Sequence, residues 1–335
     1  MTWNSLGSLA LPFQLNRNAV TLRDHVSRLG LELTSGQVAR PEKVLKGDLA
    51  PFSALESRLT RIDAFLEANK LATSAADITQ TALQRVSDTA ADAATRMLAV
   101  SSDGTAMPTL RSAAIAAQGA LNDLSASLGQ RVAGRAVFSG IASDTPPLPD
   151  ADTIIAAILP SVTALSNTDD IIAAVTSEFM DPGGTFETSL YQGGAAATGA
   201  AIDTGLTANA LPTAADPALR QVMTGLVISA LAGSDSLSLS DGQRRALARA
   251  GSETLMASSA SIAVLQGSLG DTQAQLDDVS ARLTGERDTL RLARQNLVGA
   301  DPYEVAGQLE VVQARLETLY VFTARTARLS LTEYL

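Results

Sequence analysis

Leu255, Ile262, Leu269, Leu276, Leu283, Leu290 and Leu297 stand seven residues apart without a gap. A second row, Leu265, Thr272, Val279, Glu286 and Ala293, fills the alternate positions, so the steps run three and four. That is the a/d rhythm of a coiled-coil seam. At about 1.5 Å per residue it predicts one helix of about 64 Å over 255–297. So narrow a stripe on so long a helix is buried only by a long partner, in the same chain or in a neighbour.

The rhythm recurs at the start of the chain. Leu15, Ala19, Leu22, Val26, Leu29 and Leu33 form a stripe, and Thr34-Ser35-Gly36 stops the helix. Pro41 marks a linker. A second helix is predicted from near Val44, with Leu45, Leu49, Phe52, Leu55, Leu59, Ile62 and Leu66 on one side and Pro51 as a kink or first-turn residue. Its stripe thins to Ala and Thr, then returns as Leu83, Val86, Ala90, Ala93, Met97 and Val100. The whole helix would run about 50 residues, or about 75 Å. After a turn at 101–104, a third helix presents Leu110, Ala114, Ala117, Leu121, Leu124 and Leu128. A short strand is expected within 134–140, before Pro146, Pro147 and Pro149.

The middle changes character. It predicts short helices over 154–165, 170–179, 217–231 and 240–250, with Ser240 capping the last. Segments 186–192 and 200–211 predict a hairpin or two short strands. Beyond the seam, 299–302 interrupts, and a last helix carries Val305, Leu309, Val312, Leu316 and Leu319.

The expected fold is therefore mainly α: a long antiparallel helical bundle or coiled-coil rod built from both ends of the chain, with a small α+β or α-rich insert. The segments are 1–40, an amino-terminal segment that packs only on assembly and is otherwise poorly ordered; 41–145, the first part of the rod; 146–250, the insert; 251–300, the long returning helix; and 301–335, a second assembly segment with the same character as the first.

Charge supports this division. The net charge is −10, and residues 136–219 contain ten acids with no Lys or Arg, so the flanks together are neutral. No basic stripe exists for nucleic acid. The longest apolar run, near 222–233, is broken by Thr224, Gly225 and Ser229 and is too short for a bilayer. The first thirteen residues lack the charged start of a secretory signal, so export would use a route that cleaves none.

Candidate chemistry is sparse. There is no Cys, and His25, the single His, adjoins surface-type Arg23 and Asp24. The usual thiolate, zinc and iron sites are out of reach. The glycine-rich 193–199 lacks the Lys-Ser/Thr of a phosphate loop. Asp169-Asp170 and Asp277-Asp278 are neighbours that point in different directions on a helix. No enzyme activity and no cofactor or metal is expected. Glu286 stands out as a polar seam residue that either fixes register, often against an Arg, or drifts to the surface.

Three segments carry a family resemblance. Leu33-Thr34-Ser35-Gly36, closing the first helix, resembles the Leu-Ser-Ser-Gly motif of the flagellin family. Gly134-Arg135-Ala136-Val137-Phe138-Ser139-Gly140 is similar to the Gly-Arg-Tyr-Ile-Phe-Ala-Gly segment of that family's hook–filament junction members. Leu329-Ser330-Leu331-Thr332-Glu333-Tyr334-Leu335 resembles the family's ending. After Gly36 the chain departs, with residues 37–43 replacing the usual Asn-x-x-x-Asp-Asp. The resemblance implies a structural subunit of the bacterial flagellum, extracellular and secreted through the flagellar type III channel. It implies self-assembly, contact with a neighbouring hook-associated protein and flagellin, and an export chaperone at the carboxyl-terminal region. The assembly interface would comprise Leu15, Leu22, Val26, Leu29, Leu33, Leu309, Val312, Leu316, Leu319, Leu329 and Leu331. A junction subunit is favoured, with filament flagellin or a non-polymerising coiled-coil adaptor as alternatives.

Overall fold

The computed structural model describes the backbone of residues 5–332 and the side-chain surroundings of residues 13–326. The elements run α1 (Ser5–Ser35), α2 (Pro41–Val44), α3 (Ala50–Val100), α4 (Met107–Leu128), β1 (Arg131–Val132), β2 (Arg135–Ala136), α5 (Ala151–Val162), α6 (Thr168–Met180), β3 (Ala201–Asp203), β4 (Leu206–Thr207), α7 (Pro217–Leu231), α8 (Asp241–Val298) and α9 (Pro302–Thr332). β1 pairs with β2 and β3 with β4, both antiparallel. The fold is mainly α, as the periodicity requires. Two compact units emerge: Met1–Asp63 with Leu283–Leu335, and Ala64–Arg282.

In the unit Ala64–Arg282, α3 and α8 pack antiparallel. Gln273 Nε2 donates to Asp77 Oδ1 (2.8 Å), Gln266 Nε2 to Gln84 Oε1 (3.2 Å), and Ser252 Oγ to the Ala94 carbonyl (2.8 Å). As one helix advances, the other recedes. Leu255, Ile262, Leu269 and Leu276 are each 2% exposed or less. The stretch of α3 where the stripe thins is no gap in the core: Ala76, Thr79 and Ala82 are fully buried.

Helix α7 is buried on almost every side, from Ala218 to Leu231. It lies against α4, whose buried residues are the six of its stripe. It also touches α8 backbone to backbone. A Cβ added to Gly251 would lie 2.3 Å from Ser229 Oγ and 3.0 Å from Ser229 N, and one added to Gly225 would lie 2.7 Å from Leu255 Cγ. Gly251 therefore serves a close approach. The helix expected to end at Ala250 runs through it, and 240–250 is the first part of α8. The cap at Ser240 is present as a capping box: Gln243 N–H donates to Ser240 Oγ and Ser240 N–H to Gln243 Oε1.

A buried cation holds the α7–α8 connection. Arg244, 8% exposed, donates to the carbonyls of Ala232, Ser234 and Leu237. Its charge meets the negative end of the α7 dipole. The acids of the middle stretch perform the complementary task at helix starts. Asp150 caps α5 by accepting from Thr153 N–H, Asp216 caps α7 through Ala218 N–H, and Asp169 and Asp170 fill the first turn of α6.

Three local expectations are corrected. Val137–Ser139 is a 3₁₀ turn, and only Arg135–Ala136 of the expected strand pairs. The turn buries Phe138 completely, which an edge strand would not. Phe186–Leu190 is a single π-helical turn rather than a strand, with Phe186 and Leu190 buried. The 200–211 segment alone forms a hairpin, β3–β4. At the start of the second helix, Val44, Leu45 and Leu49 lie outside α3. Val44 closes the single turn α2, and Pro51 is a first-turn residue of α3, where its missing N–H costs nothing.

In the unit Met1–Asp63 with Leu283–Leu335, α3 and α8 again run antiparallel. Glu56 pairs with Arg294 (3.4 Å), Asp63 approaches Arg287 (4.0 Å), and Arg58 pairs with Glu286. The polar seam residue Glu286 thus meets an arginine supplied by the same chain. Leu59, Ile62 and Leu283 are buried beside it.

Gly251→Leu is expected to destabilise the chain by about 2–4 kcal/mol through overpacking against Ser229, read as a fall in the urea unfolding midpoint. A pH dependence also follows. Hydrogen bonds from the Thr185 hydroxyl and then its backbone N–H hold the Glu178 carboxyl below its usual range. A carboxyl lowered in the folded state contributes stability above its unfolded pKa, and that contribution is lost as pH falls through the folded value. Thr185→Val should raise Glu178 towards an ordinary carboxyl, as carboxyl NMR titration will show.

Candidate functional site

The two ends of the chain meet in the first unit. Helix α1 closes with Gly36 in the left-handed region (φ +67°), its N–H donating to the Glu32 carbonyl (2.9 Å). The next residues pair with the α8–α9 connection: Val38 N–H donates to the Val298 carbonyl (2.9 Å) and Ala300 N–H to the Gly36 carbonyl (3.0 Å). This small bridge joins the end of α1 to the start of α9. Asp301 caps α9 by accepting from Tyr303 N–H (2.9 Å), and Pro302 follows.

Beneath the bridge lies Glu32, 6% exposed. Its carboxylate accepts from Arg28 Nη1 (2.9 Å) and from Ala39 N–H (3.0 Å). A buried carboxylate needs such donors. The i,i+4 spacing of Arg28 and Glu32 is visible in the sequence, but their role in holding the loop is not. From the bridge, α1 and α9 run back along each other and pack together. Further out, Arg23 Nε donates to the Tyr320 hydroxyl (2.7 Å), with the guanidinium 5.5 Å from the ring centre.

The residues expected at an assembly interface have distinct places. Leu29 is 1% exposed. Leu15, Leu22, Val26, Leu309, Val312, Leu316 and Leu319 are half-buried along the α1–α9 pair. Leu33 is 39% exposed. The expectations at Leu329 and Leu331 fall outside the described side chains. Beside these, a second set of apolar residues faces solvent: Phe13, Val20 and Leu31 on α1, and Tyr303, Val311, Val321 and Phe322 on α9. Phe13, Val20, Leu31, Tyr303 and Val321 carry nearly the opposite phase to the stripes, and Val311 and Phe322 lie towards the flank.

The remaining features offer little for chemistry. Among the described residues, no group of three or more His, Cys, Asp or Glu is placed to hold a metal ion. His25 is exposed on α1. An open cleft of about 480 Å³ lies beside the bridge, lined in part by Gln37, Asp288, Arg291 and Arg294. In the other unit a cavity of about 170 Å³ is lined by Val137, Ala197, Leu211 and Leu276 among others. The glycine-rich 193–199 is packed rather than open: a Cβ on Gly199 would fall 1.7 Å from the Ala208 carbonyl oxygen, and Gly194 N–H donates to the Ser139 carbonyl. Among the described residues no helix is long and apolar enough to cross a membrane.

No family model matches the chain, and no curated protein matches it significantly. Among solved structures it is similar to a Vibrio parahaemolyticus protein provisionally described as a flagellar hook-associated protein. The TM-score is 0.50 at 12% identity, over 72% of this chain and 94% of that one. At that identity the likeness shows a shared fold.

Two leucines of the same stripe should respond differently to truncation. Leu29→Ala is expected to cost about 2–4 kcal/mol and Leu33→Ala less than about 1 kcal/mol. Helical circular dichroism during urea unfolding will separate them.

Proposed function

We propose that this protein is a structural subunit of the bacterial flagellum that joins hook to filament and assembles through its terminal helices. The observation that carries this reading is the α1–α9 pair, two helices from opposite ends of the chain. They cover each other on one side only and leave large apolar residues in solvent on the other. Phe13 is 71% exposed, Val321 55% and Phe322 50%. Surface of that kind on both partners of a helix pair marks a face that another protein covers. The fold likeness to a hook-associated protein and the Leu33-Thr34-Ser35-Gly36 and Leu329-Ser330-Leu331 motifs support the flagellar setting.

On this reading residues 1–40 and 301–335 are axial segments whose full packing is completed on assembly. Residues 41–145 and 251–300 carry them, and 146–250 is displayed outward. The subunit has no enzymatic role, leaves the cell through the flagellar export channel, and is accompanied by a chaperone on its carboxyl-terminal region. Its partners are further copies, a neighbouring hook-associated protein and flagellin.

Removal of residues 301–335 tests the proposal. The truncated chain is expected to keep a cooperative unfolding transition from the unit Ala64–Arg282, and to be absent from isolated flagella of cells expressing it. Immunogold labelling of the intact protein should give one narrow band at the hook's end. Label along the whole filament would assign it as flagellin instead. A discrete dimer indifferent to flagellar parts would make it an adaptor.

A further inference from the structure

Independently of the assembly reading, we propose that the unit Ala64–Arg282 binds a small neutral molecule, a single ring of benzene or phenol size, in the cavity beneath residues 197–211.

The cavity has a volume of about 170 Å³. Ala72 and Ala75 line it from α3, Thr272 and Leu276 from α8, and Val137 from the 3₁₀ turn. Most of the remaining wall is chain between Ala197 and Leu211. The two α3 positions carry only methyl groups, where larger side chains would fill the space. Thr272 is 3% exposed and Leu276 1%, whereas Thr198 and Asn209 are exposed and mark the mouth. The site therefore has a dry floor and a wet rim.

The segment that covers it is fastened in place. Asn69 Nδ2 donates to the Ile202 carbonyl (3.0 Å), and Asp203 pairs with Arg282 (2.5 Å), so each long helix holds one tie. The two limbs of the segment are pressed together at Gly199, where a Cβ would fall 1.7 Å from the Ala208 carbonyl oxygen. Ala208 N–H donates to the Ala200 carbonyl (2.9 Å) beside it. Space held open in this way leaves the lining atoms without contacts on one side, and an apolar guest restores them.

The lining selects the guest. Among the described residues no charged side chain lines the cavity, so a charged guest would lose its hydration without gaining a partner. A cavity of about 150 Å³ with an aliphatic and aromatic lining takes up benzene or xenon, which sets the size class here. One polar handle stands at the rim. Asn209 Nδ2 donates to Thr272 Oγ1 (3.4 Å), and Thr272 Oγ1 donates to the Ser268 carbonyl (3.1 Å). The rest of the Asn209 amide, one N–H and the carbonyl, can receive a hydroxyl group. The guest is thus neutral, has one ring and carries at most one hydroxyl. It touches α3, α8 and the covering segment together, and binding to the folded state alone stabilises it by mass action.

Benzene, phenol and benzoate are titrated into the full chain, followed by amide NMR shifts and by the urea unfolding midpoint. Benzene and phenol are expected to shift the amides of residues 72–75, 197–211 and 272–276 and to raise the midpoint. Benzoate, of similar shape but charged, should bind at least about tenfold more weakly than phenol. Ala75→Leu fills the space with a good helix former and should weaken both neutral probes at least about tenfold. Ala72→Leu serves as a second filled variant should the first unfold. Asn209→Ala should weaken phenol about threefold and leave benzene unchanged. Equal effects on the two probes overturn the handle. Wild type that takes up neither neutral probe, shifts centred elsewhere, or filled variants that bind like wild type overturn the site. Benzoate that binds as tightly as phenol overturns the ligand class. None of these outcomes bears on assembly through the terminal helices.

Discussion

Burial of a single narrow stripe on α8 against α3 is the constraint the rest of the structure answers. A 58-residue helix cannot fold alone on propensity, because most helical stability in proteins comes from packing one apolar face. In the unit Ala64–Arg282, Leu255, Ile262, Leu269 and Leu276 supply that face, and α3 meets it with a run that includes Ala76, Thr79 and Ala82. The polar contacts along the edges, such as Gln273 with Asp77, add little energy at a solvent-exposed surface. Their value is in register: they are satisfied in one antiparallel alignment and not in its neighbours. Glu286 with Arg58 does the same in the other unit.

The acidic excess of the middle has an equally local explanation. A stretch of ten acids without a base suggests a charged display surface. Several of those acids are committed to the ends of short helices instead. Asp150, Asp169, Asp170 and Asp216 stand at the starts of α5, α6 and α7, where unpaired N–H groups and the dipole favour negative charge. Glu187 pairs with Arg220, whose guanidinium also sits 5.6 Å from the Phe186 ring centre. The one strongly buried cation of this region, Arg244, is bound by carbonyls and not by any acid. Charge here terminates helices and ties loops more than it recruits a partner.

The terminal pair differs from the α3–α8 pairing in how completely it is covered. Leu255 and Ile262 are each 1% exposed, whereas Leu15, Leu22, Leu316 and Leu319 are only half-buried. Among the described residues α1 and α9 pack chiefly on each other, and each helix offers more than one side. The bridge between residues 36–38 and 298–300, with Glu32 beneath it, holds the two helices at one end. What they present outward is the apolar surface from which the proposed function is drawn.

Much of this was legible without coordinates. Heptad spacing determined α8 as a long helix whose row is buried from Leu255 to Leu283, while Leu290 and Leu297 are half-buried and Ala293 is exposed. The stripe of α4 matched its buried residues, and the stop at Gly36 and the cap at Ser240 followed from single residues whose backbone preferences are strong. These signals are local or periodic, and a period of 3.5–3.6 residues survives whatever the helix packs against. Tertiary structure alone decided what had no local signature. Gly251 reads as a breaker until Ser229 is seen pressing on it. Phe186 and Leu190 read as strand residues until the core offers one side for both. Arg244 carries no local sign of the three carbonyls that converge on it. The pairing of α1 with α9 brings Arg23 to Tyr320, 297 residues away, and such a contact depends on which of several similar stripes meet. Periodicity states that a face must be buried; only the packed chain decides against what.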